Sequence, residues 1–314
     1  MSLIKYCRIE GGNFGDDINL QLWERLFPNL SDLTGTLRLY GIGTLLDGTH
    51  DKSVRKVVLG TGIGEIGTVT PDSNWDFRWV RGPMTAHEFS LPVDLALGDP
   101  AILWPGLVGN GHAVDGPVGL VPHYATWDSF DWPSVASKAG MIAINPRKSP
   151  DDVIAQMRAC SCILAESLHG AICADAMGIP WAACVLAHRF NEFKWRDWLA
   201  TIHRPYAPLM MDRPLVKAIS FAKGSANRLA RLVRYKRYTR HPALRPVAPA
   251  TPADAAAVAR QLHQYASNPL HFFCSTRKDI DRQRFEMLEK CAVFANEYKL
   301  QFDHASHVPS CSIA

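Results

Sequence analysis

The sequence predicts an α/β protein with two doubly wound, Rossmann-like domains facing a cleft and a helical C-terminal extension. Three observations carry this. Short apolar runs bounded by glycine alternate with segments of helical periodicity, and the series occurs twice. Between the two series lies "PGLVGNGHAVDGP" (105–117), rich in the glycine and proline that mark domain joins. After Arg213 the alternation stops, and the chain becomes first basic and then helical. The expected units are residues 1–112, 113–245 and 246–314, and 314 residues suffice for two cores.

In the first series, Leu3 to Ile9 reads as a strand, followed by the glycine-rich loop "EGGNFGDD". Asp16 or Asp17 is expected to cap a helix from Ile18 to Phe27, with Leu22, Leu26 and Phe27 at helical spacing. "TLRLYGIG", "RKVVLGTGIG" and "DFRWVRG" read as further strands, and Pro83 opens a helix. The second series has strands at "VGLVPHY", "MIAINP", "CILAE" and "PWAACVL". Pro150 to Cys160 forms a helix between two of them. Ser149, Pro150 and Asp152 hold its cap, first-turn and capping-box positions. Residues 223 to 240 read as a basic helix, "RPVAPATPAD" as a linker, and 253–266 and 279–299 as two final helices.

Composition narrows the function. No run of about 18 apolar residues is present, so no membrane span is expected. The N-terminus lacks a signal-peptide core, which points to the cytoplasm. Eight cysteines, several of them inside apolar runs and none in a CxxC pair, argue for reduced thiols and against a zinc site. The net charge is +4, yet nine Lys and Arg residues fall between Lys217 and Arg245 with no acidic residue among them. One basic segment on an otherwise acidic chain suits a local anionic surface and not a nucleic-acid partner.

The chemistry-bearing residues sit at strand ends. "GIGEIG" (62–67) matches a dinucleotide fingerprint, but "TVTPDSNWD" follows and opens no helix, so a nicotinamide site is rejected. In "EGGNFGDDIN", Gly12 frees the backbone, Asn13 offers a donor and an acceptor, and one of Asp16 and Asp17 is spare after capping. The spare carboxylate can take a proton from a hydroxyl. Arg81, His123 and Arg147 each follow a strand, where ligands bind in such sheets, and suit a carboxylate or phosphate. "AESLHGAICADAMGIP" (165–180) places Glu166, Ser167 and His169 between a buried strand and a small-residue helix. There Glu166 either holds the imidazole or acts as a base.

Together "GGNFGDDIN", "VRGPMTA", "LGDPAIL" and "ESLHGAICADAMGIP" resemble the polysaccharide pyruvyl transferase family, and "FKWRDWL" is similar to its bacterial exopolysaccharide ketal pyruvyl transferase branch. The resemblance covers roughly residues 1 to 205. It implies a fold like that of two-domain GT-B glycosyltransferases. It also implies transfer of pyruvate from phosphoenolpyruvate onto two hydroxyls of one sugar, as a cyclic ketal. By resemblance Ser167, Leu168 and His169 help bind phosphoenolpyruvate, Leu168 through its backbone, and His169 is catalytic. Some members carry Arg at the positions of Ser167 and His123, so Arg147 or Arg81 is expected to supply the missing charge. Phosphoenolpyruvate is a substrate, and no cofactor or metal is expected.

The implied acceptor is a lipid-linked oligosaccharide or polysaccharide. The basic segment 217–245 is expected to rest on the anionic inner face of the membrane. Trp195 and Trp198 share a helix face, and ordinary packing is the favoured reading. The competing functions are a GT-B glycosyltransferase using a nucleotide sugar and a non-catalytic member of a polysaccharide assembly complex. The first lacks the Glu pair eight residues apart that many retaining enzymes carry, since Ala174 follows Glu166 at that spacing.

Overall fold

In a computed structural model, residues 3–48, 50–67, 69–107, 112–187, 191–218 and 248–303 are described. The first sheet contains β1 (Ile4–Lys5), β2 (Leu37–Tyr40), β3 (Arg55–Leu59) and β4 (Trp75–Trp79), all parallel and in sequential order. Helix α1 (Phe14–Leu26) joins β1 to β2, and α2 (Pro83–Glu88) follows β4. A 3-10 turn at Pro100–Leu103 runs into the short α3 (Trp104–Leu107).

The second sheet contains β5 (Val118–Val121), β6 (Met141–Ala143), β7 (Cys162–Ala165), β8 (Trp181–Val185) and β9 (Leu209–Met210), parallel and ordered β6-β5-β7-β8-β9. Its helices are α4 (Tyr124–Trp127), α5 (Trp132–Lys138), α6 (Pro150–Arg158), α7 (Leu168–Met177) and α8 (Glu192–Thr201). Helices α9 (Pro252–Ala266) and α10 (Arg277–Tyr298) complete the described chain, within two residues of the expected bounds. Strand β9 and helix α5 were not anticipated. Two residues are too few to show a period, and α5 shows only Trp132, Val135 and Ala136 as an apolar face.

Alternation along the strands explains why both faces of each sheet are covered. Leu39, Val57, Leu59 and Trp79 join one buried cluster, while Tyr40 and Val58 point to the other side with Ala86 and Phe89. In the second sheet Ile163, Ala165, Trp181, Ala183 and Val185 face α6 and α7, whereas Leu164, Ala182 and Cys184 face α5 and α9. The inner faces of both sheets share one continuous cluster, bridged by Phe14 and Ile18 of α1 and by Ala101 to Trp104.

Local signals set the helix ends that matter here. Helix α1 starts at Phe14 and not at Ile18. Asn13 takes the cap position with extended backbone, and Phe14 is drawn fully into the core. Ser149 caps α6 by accepting from Asp152 N at 3.2 Å, as its spacing predicts. Ser167 caps α7 by accepting from Gly170 N at 3.3 Å, and Gly178 ends that helix at φ +77°. The basic helix read at 223–240 and most of the linker lie outside the described residues.

The C-terminal helix α10 returns to the first sheet. Phe294 meets Phe27 edge-on at 5.3 Å, and Arg78 of β4 pairs with Glu297. Phe294→Ala empties a site that is fully buried. It is expected to cost about 3–5 kcal/mol, read as a lower urea midpoint at unchanged m-value. A loss below about 1 kcal/mol would mean that α10 does not hold the two ends of the chain together.

Candidate functional site

The order of the second sheet places the site. Strand β5 has β6 on one side and β7 on the other, so successive connections leave it in opposite directions. Crevices at such switch points, beyond the strand C-termini, are where doubly wound sheets bind ligands. The loop after β5 carries His123, and that after β7 carries Glu166 and Ser167 and leads into α7, whose first turn holds His169. The loops of the first sheet meet them there. Phe14 N donates to Pro146 O at 2.9 Å, and Asn191 Nδ2 donates to Gly64 O at 3.2 Å.

His169 lies in the first turn of α7 and keeps a small exposed edge. Its Nδ1 side runs along Gly15 of α1, where a Cβ would collide with the ring. Glycine at this position lets the two helix N-termini approach. Asp16, next in α1, is buried, and its carboxylate accepts from Asn13 Nδ2 at 2.5 Å. Burial raises its pKa, against the pull of His169 and Lys194. Neither aspartate is the N-cap, which is Asn13; Asp17 lies inside α1 and its Oδ2 accepts from Asn13 N at 2.9 Å. Gly12, at φ +87°, brings its carbonyl to Arg147 Nη1 at 3.0 Å, and a Cβ there would strike the Arg147 carbonyl.

Two residues join this group without having been singled out from the sequence. Asp99 caps the turn at Pro100–Leu103 and sends Oδ2 toward His169 Nε2, 3.7 Å away. Lys194 of α8 is half-buried and interacts electrostatically with Asp16, Glu166 and Asp99. Desolvation is the largest influence on it and lowers its pKa. Both were present in quoted stretches, "LGDPAIL" and "FKWRDWL". No helical or strand period connects them to residue 169.

Several expected ligand residues are occupied elsewhere. Arg81 is fully buried: Nε donates to Asp197 Oδ2 at 3.1 Å, Nη1 to Gly43 O and Thr44 Oγ1, and Nη2 to Ile63 O at 2.6 Å. Asp197 also accepts from Met84 N and Thr85 N, so this pair fixes α8 to the start of α2. Arg81 therefore holds the fold together and is not free to bind an anion. Arg147 clamps the two halves, with Nε on Asp128 at 2.7 Å and Nη1 on the carbonyls of Glu10 and Gly12. Asp128 already supplies its counter-charge and raises its pKa.

The surroundings of His123 favour its neutral form. Burial and the charges of Lys194, His169 and Arg147 push it down to about 3. Its Nδ1 accepts from Ala125 N as the cap of α4. Glu166 does not touch the His169 ring. Its carboxylate accepts from His123 N at 2.9 Å and from Leu186 N and Ala187 N at 3.0 Å each, tying the ends of β5, β7 and β8. Burial raises it to about 6. Leu168 is buried beside it in the shared core, and Trp195 and Trp198 are buried against Trp181, as packing residues. Among the described residues, no cluster of three or more His, Cys, Asp or Glu is placed to hold a metal ion.

What emerges is an α/β protein with a polar cluster near strand C-termini: an imidazole, two buried carboxylates and an ammonium. Residues 72–188 match the family described as Polysaccharide pyruvyl transferase. The chain is also 38% identical over 208 residues to the Succinoglycan biosynthesis protein ExoV of Rhizobium meliloti (strain 1021). That alignment covers 65% of this chain and 66% of the relative, just under two thirds of its length. No solved structure matches. Both matches show similarity to polysaccharide pyruvyl transferases, over residues 72–188 for the family and over about two thirds of the chain for the relative.

The Glu166 hub gives a pH test. Its folded pKa of about 6 lies above the ordinary 4.5, so folding favours the neutral form. The stability it contributes is complete below about pH 4.5 and is lost as pH rises through about 6, up to about 2 kcal/mol. Glu166→Gln removes this dependence. Urea denaturation between about pH 4.5 and 7 is expected to show a larger stability loss in wild type than in the variant. Equal losses would mean that Glu166 does not titrate as its burial requires.

Proposed function

We propose that this protein transfers pyruvate from phosphoenolpyruvate onto two hydroxyls of one sugar in an exopolysaccharide unit, forming a cyclic ketal. The observation that carries this is the grouping of His169, Asp16, Asp99 and Lys194 where α1 and α7 meet. Similarity to the family supports pyruvyl transfer and the relative's name supports exopolysaccharide synthesis, while the donor and the ketal rest on the chemistry below. In this reading the halves form a GT-B-like pair, with acceptor on the α1 side and donor on the α7 side.

Phosphoenolpyruvate brings a phosphate and a carboxylate, and Lys194 with the positive end of α7 offsets their charge. With Arg81 and Arg147 engaged elsewhere, Lys194 takes the cationic role that the sequence assigned to them. Asp16 takes the proton of the first hydroxyl as its oxygen attacks the substituted carbon. His169 gives a proton to the methylene, which becomes the methyl group. The C–O bond to phosphate then breaks, and phosphate leaves with the proton held by Asp16. The second hydroxyl closes the ketal and returns its proton to His169. Two hydroxyls and one phosphoenolpyruvate give one ketal and one hydrogen phosphate, and both residues are restored. Burial raises the pKa of Asp16, which strengthens it as a base and limits it to higher pH.

Wild type, His169→Ala and Asp16→Asn are to be incubated with phosphoenolpyruvate and an exopolysaccharide-unit acceptor, with phosphate release and ketal formation followed. Wild type is expected to release one phosphate per ketal, and each variant to lose roughly 10²- to 10⁴-fold in kcat. Thermal stabilisation by a nucleotide sugar and not by phosphoenolpyruvate would overturn this reading in favour of glycosyl transfer.

The acceptor in this proposal is lipid-linked, and the basic segment 217–245 docks on the anionic membrane surface that carries it. No helix among the described residues is long and apolar enough to cross a membrane. Charge reversal at Arg231, Arg234 and Arg237 is expected to abolish co-sedimentation with phosphatidylglycerol vesicles. Undiminished co-sedimentation would rule out docking through this segment.

A further inference from the structure

We propose that Asp99 is a positioning residue for His169: its Oδ2 accepts the ring's Nε2–H, fixes the tautomer and leaves Nδ1 to exchange protons with substrate. The inference rests on the proposed role of His169 as proton donor.

Asp99 is almost completely buried, and it is anchored. Its Oδ1 accepts from Ala101 N at 3.0 Å, which caps the turn at Pro100–Leu103 and sets the plane of the carboxyl group. Its Oδ2 is buried and has no hydrogen-bond partner. His169 Nε2, 3.7 Å away, is also buried and also has none. Unpartnered buried polar atoms are rare and costly, and here two of complementary character face one another. A charge-assisted bond needs roughly 2.7–2.9 Å, a closure that small side-chain rotations supply. A carboxylate only accepts, so the contact selects the ring form with its proton on Nε2.

The ring lies among other charges. Asp16 of α1 and His123 after β5 act on it electrostatically, and Lys194 of α8 acts on Asp16 and Asp99. None of them hydrogen-bonds to Nε2. The Nδ1 edge runs along Gly15, next to Asp16 in α1. The division of labour follows from this. Asp99 steadies the imidazolium through Nε2–H, which never leaves. The Nδ1–H is the proton given to the methylene carbon, and Nδ1 later takes the proton of the second hydroxyl.

Asp99→Asn is the discriminating variant. The side-chain oxygen of Asn is able to keep the Ala101 cap, while Oδ2 is replaced by an NH2 donor. Facing a donor, Nε2 must become an acceptor, and the ring proton moves to Nδ1. In ¹⁵N-resolved NMR, the neutral His169 of wild type is expected to carry its proton on Nε2, and that of the variant on Nδ1. The kcat for pyruvyl transfer is expected to fall roughly 10²- to 10⁴-fold, with KM for phosphoenolpyruvate unchanged. A merely structural role for Asp99 would lower the melting temperature and leave the tautomer alone. A wild-type ring protonated on Nδ1 would overturn the proposal, as would an Asn variant of undiminished kcat. Should the variant fail to fold, the wild-type tautomer decides by itself. Should wild type transfer no pyruvate at all, the functional reading fails, and the NMR result still decides whether Asp99 positions the ring.

Discussion

The site depends on one buried carboxylate. Glu166 stands at the switch point of the second sheet and accepts backbone N–H groups from the loops after β5 and β8. Parallel strands end in unpaired donors, and a loop has no ladder to satisfy them. A carboxylate with two acceptor oxygens gathers three of those donors at once. This fixes the backbone immediately before Ser167, so that α7 begins at a defined place and His169 projects from its first turn. The burial that makes the hub effective also makes its charge costly, which is why its pKa rises to about 6.

The same device recurs at the boundary between the halves. Asp197 gathers Arg81 and the first N–H groups of α2, and Arg147 spans to the carbonyls of Glu10 and Gly12. These groups resemble ligand-binding residues in sequence because they follow strands and carry charge. In the fold they hold loops of one half against loops of the other. A guanidinium with five donors suits that task as well as it suits a phosphate. Among the buried polar atoms left without a hydrogen-bond partner are Asp99 Oδ2 and His169 Nε2, which face one another near the start of α7.

The charge balance of the site follows from this division. The proposed donor is anionic and asks for a cation, and the arginines that sequence position favoured are consumed by carboxylates and carbonyls. Lys194 stands among Asp16, Asp99 and Glu166, whose charges oppose, without outweighing, the desolvation that lowers its pKa. Its long side chain reaches the group from α8, an element whose helical face is otherwise spent on packing Trp195 and Trp198.

The sequence by itself determined the two strand–helix series, the caps at Ser149 and Ser167, the stop at Gly178 and the placing of His169 at a strand-to-helix joint. These are local properties, set by periodicity over a few residues and by side chains bonding their own backbone. It also carried motifs that resemble those of polysaccharide pyruvyl transferases, including Asp99 and Lys194, without saying that they meet. Only the tertiary structure decided which charged residues remain available. Arg81 and Asp197 are 116 positions apart, and Asp99 and His169 are brought together from separate turns. A side chain's role depends on whether its hydrogen bonds are already satisfied, and that depends on partners distant in the chain. Burial separates Asp16 from Asp17 in the same way. The two are neighbours of one kind in sequence, yet in the fold one is buried against the Asn13 side chain and the other reaches back to the Asn13 backbone N–H.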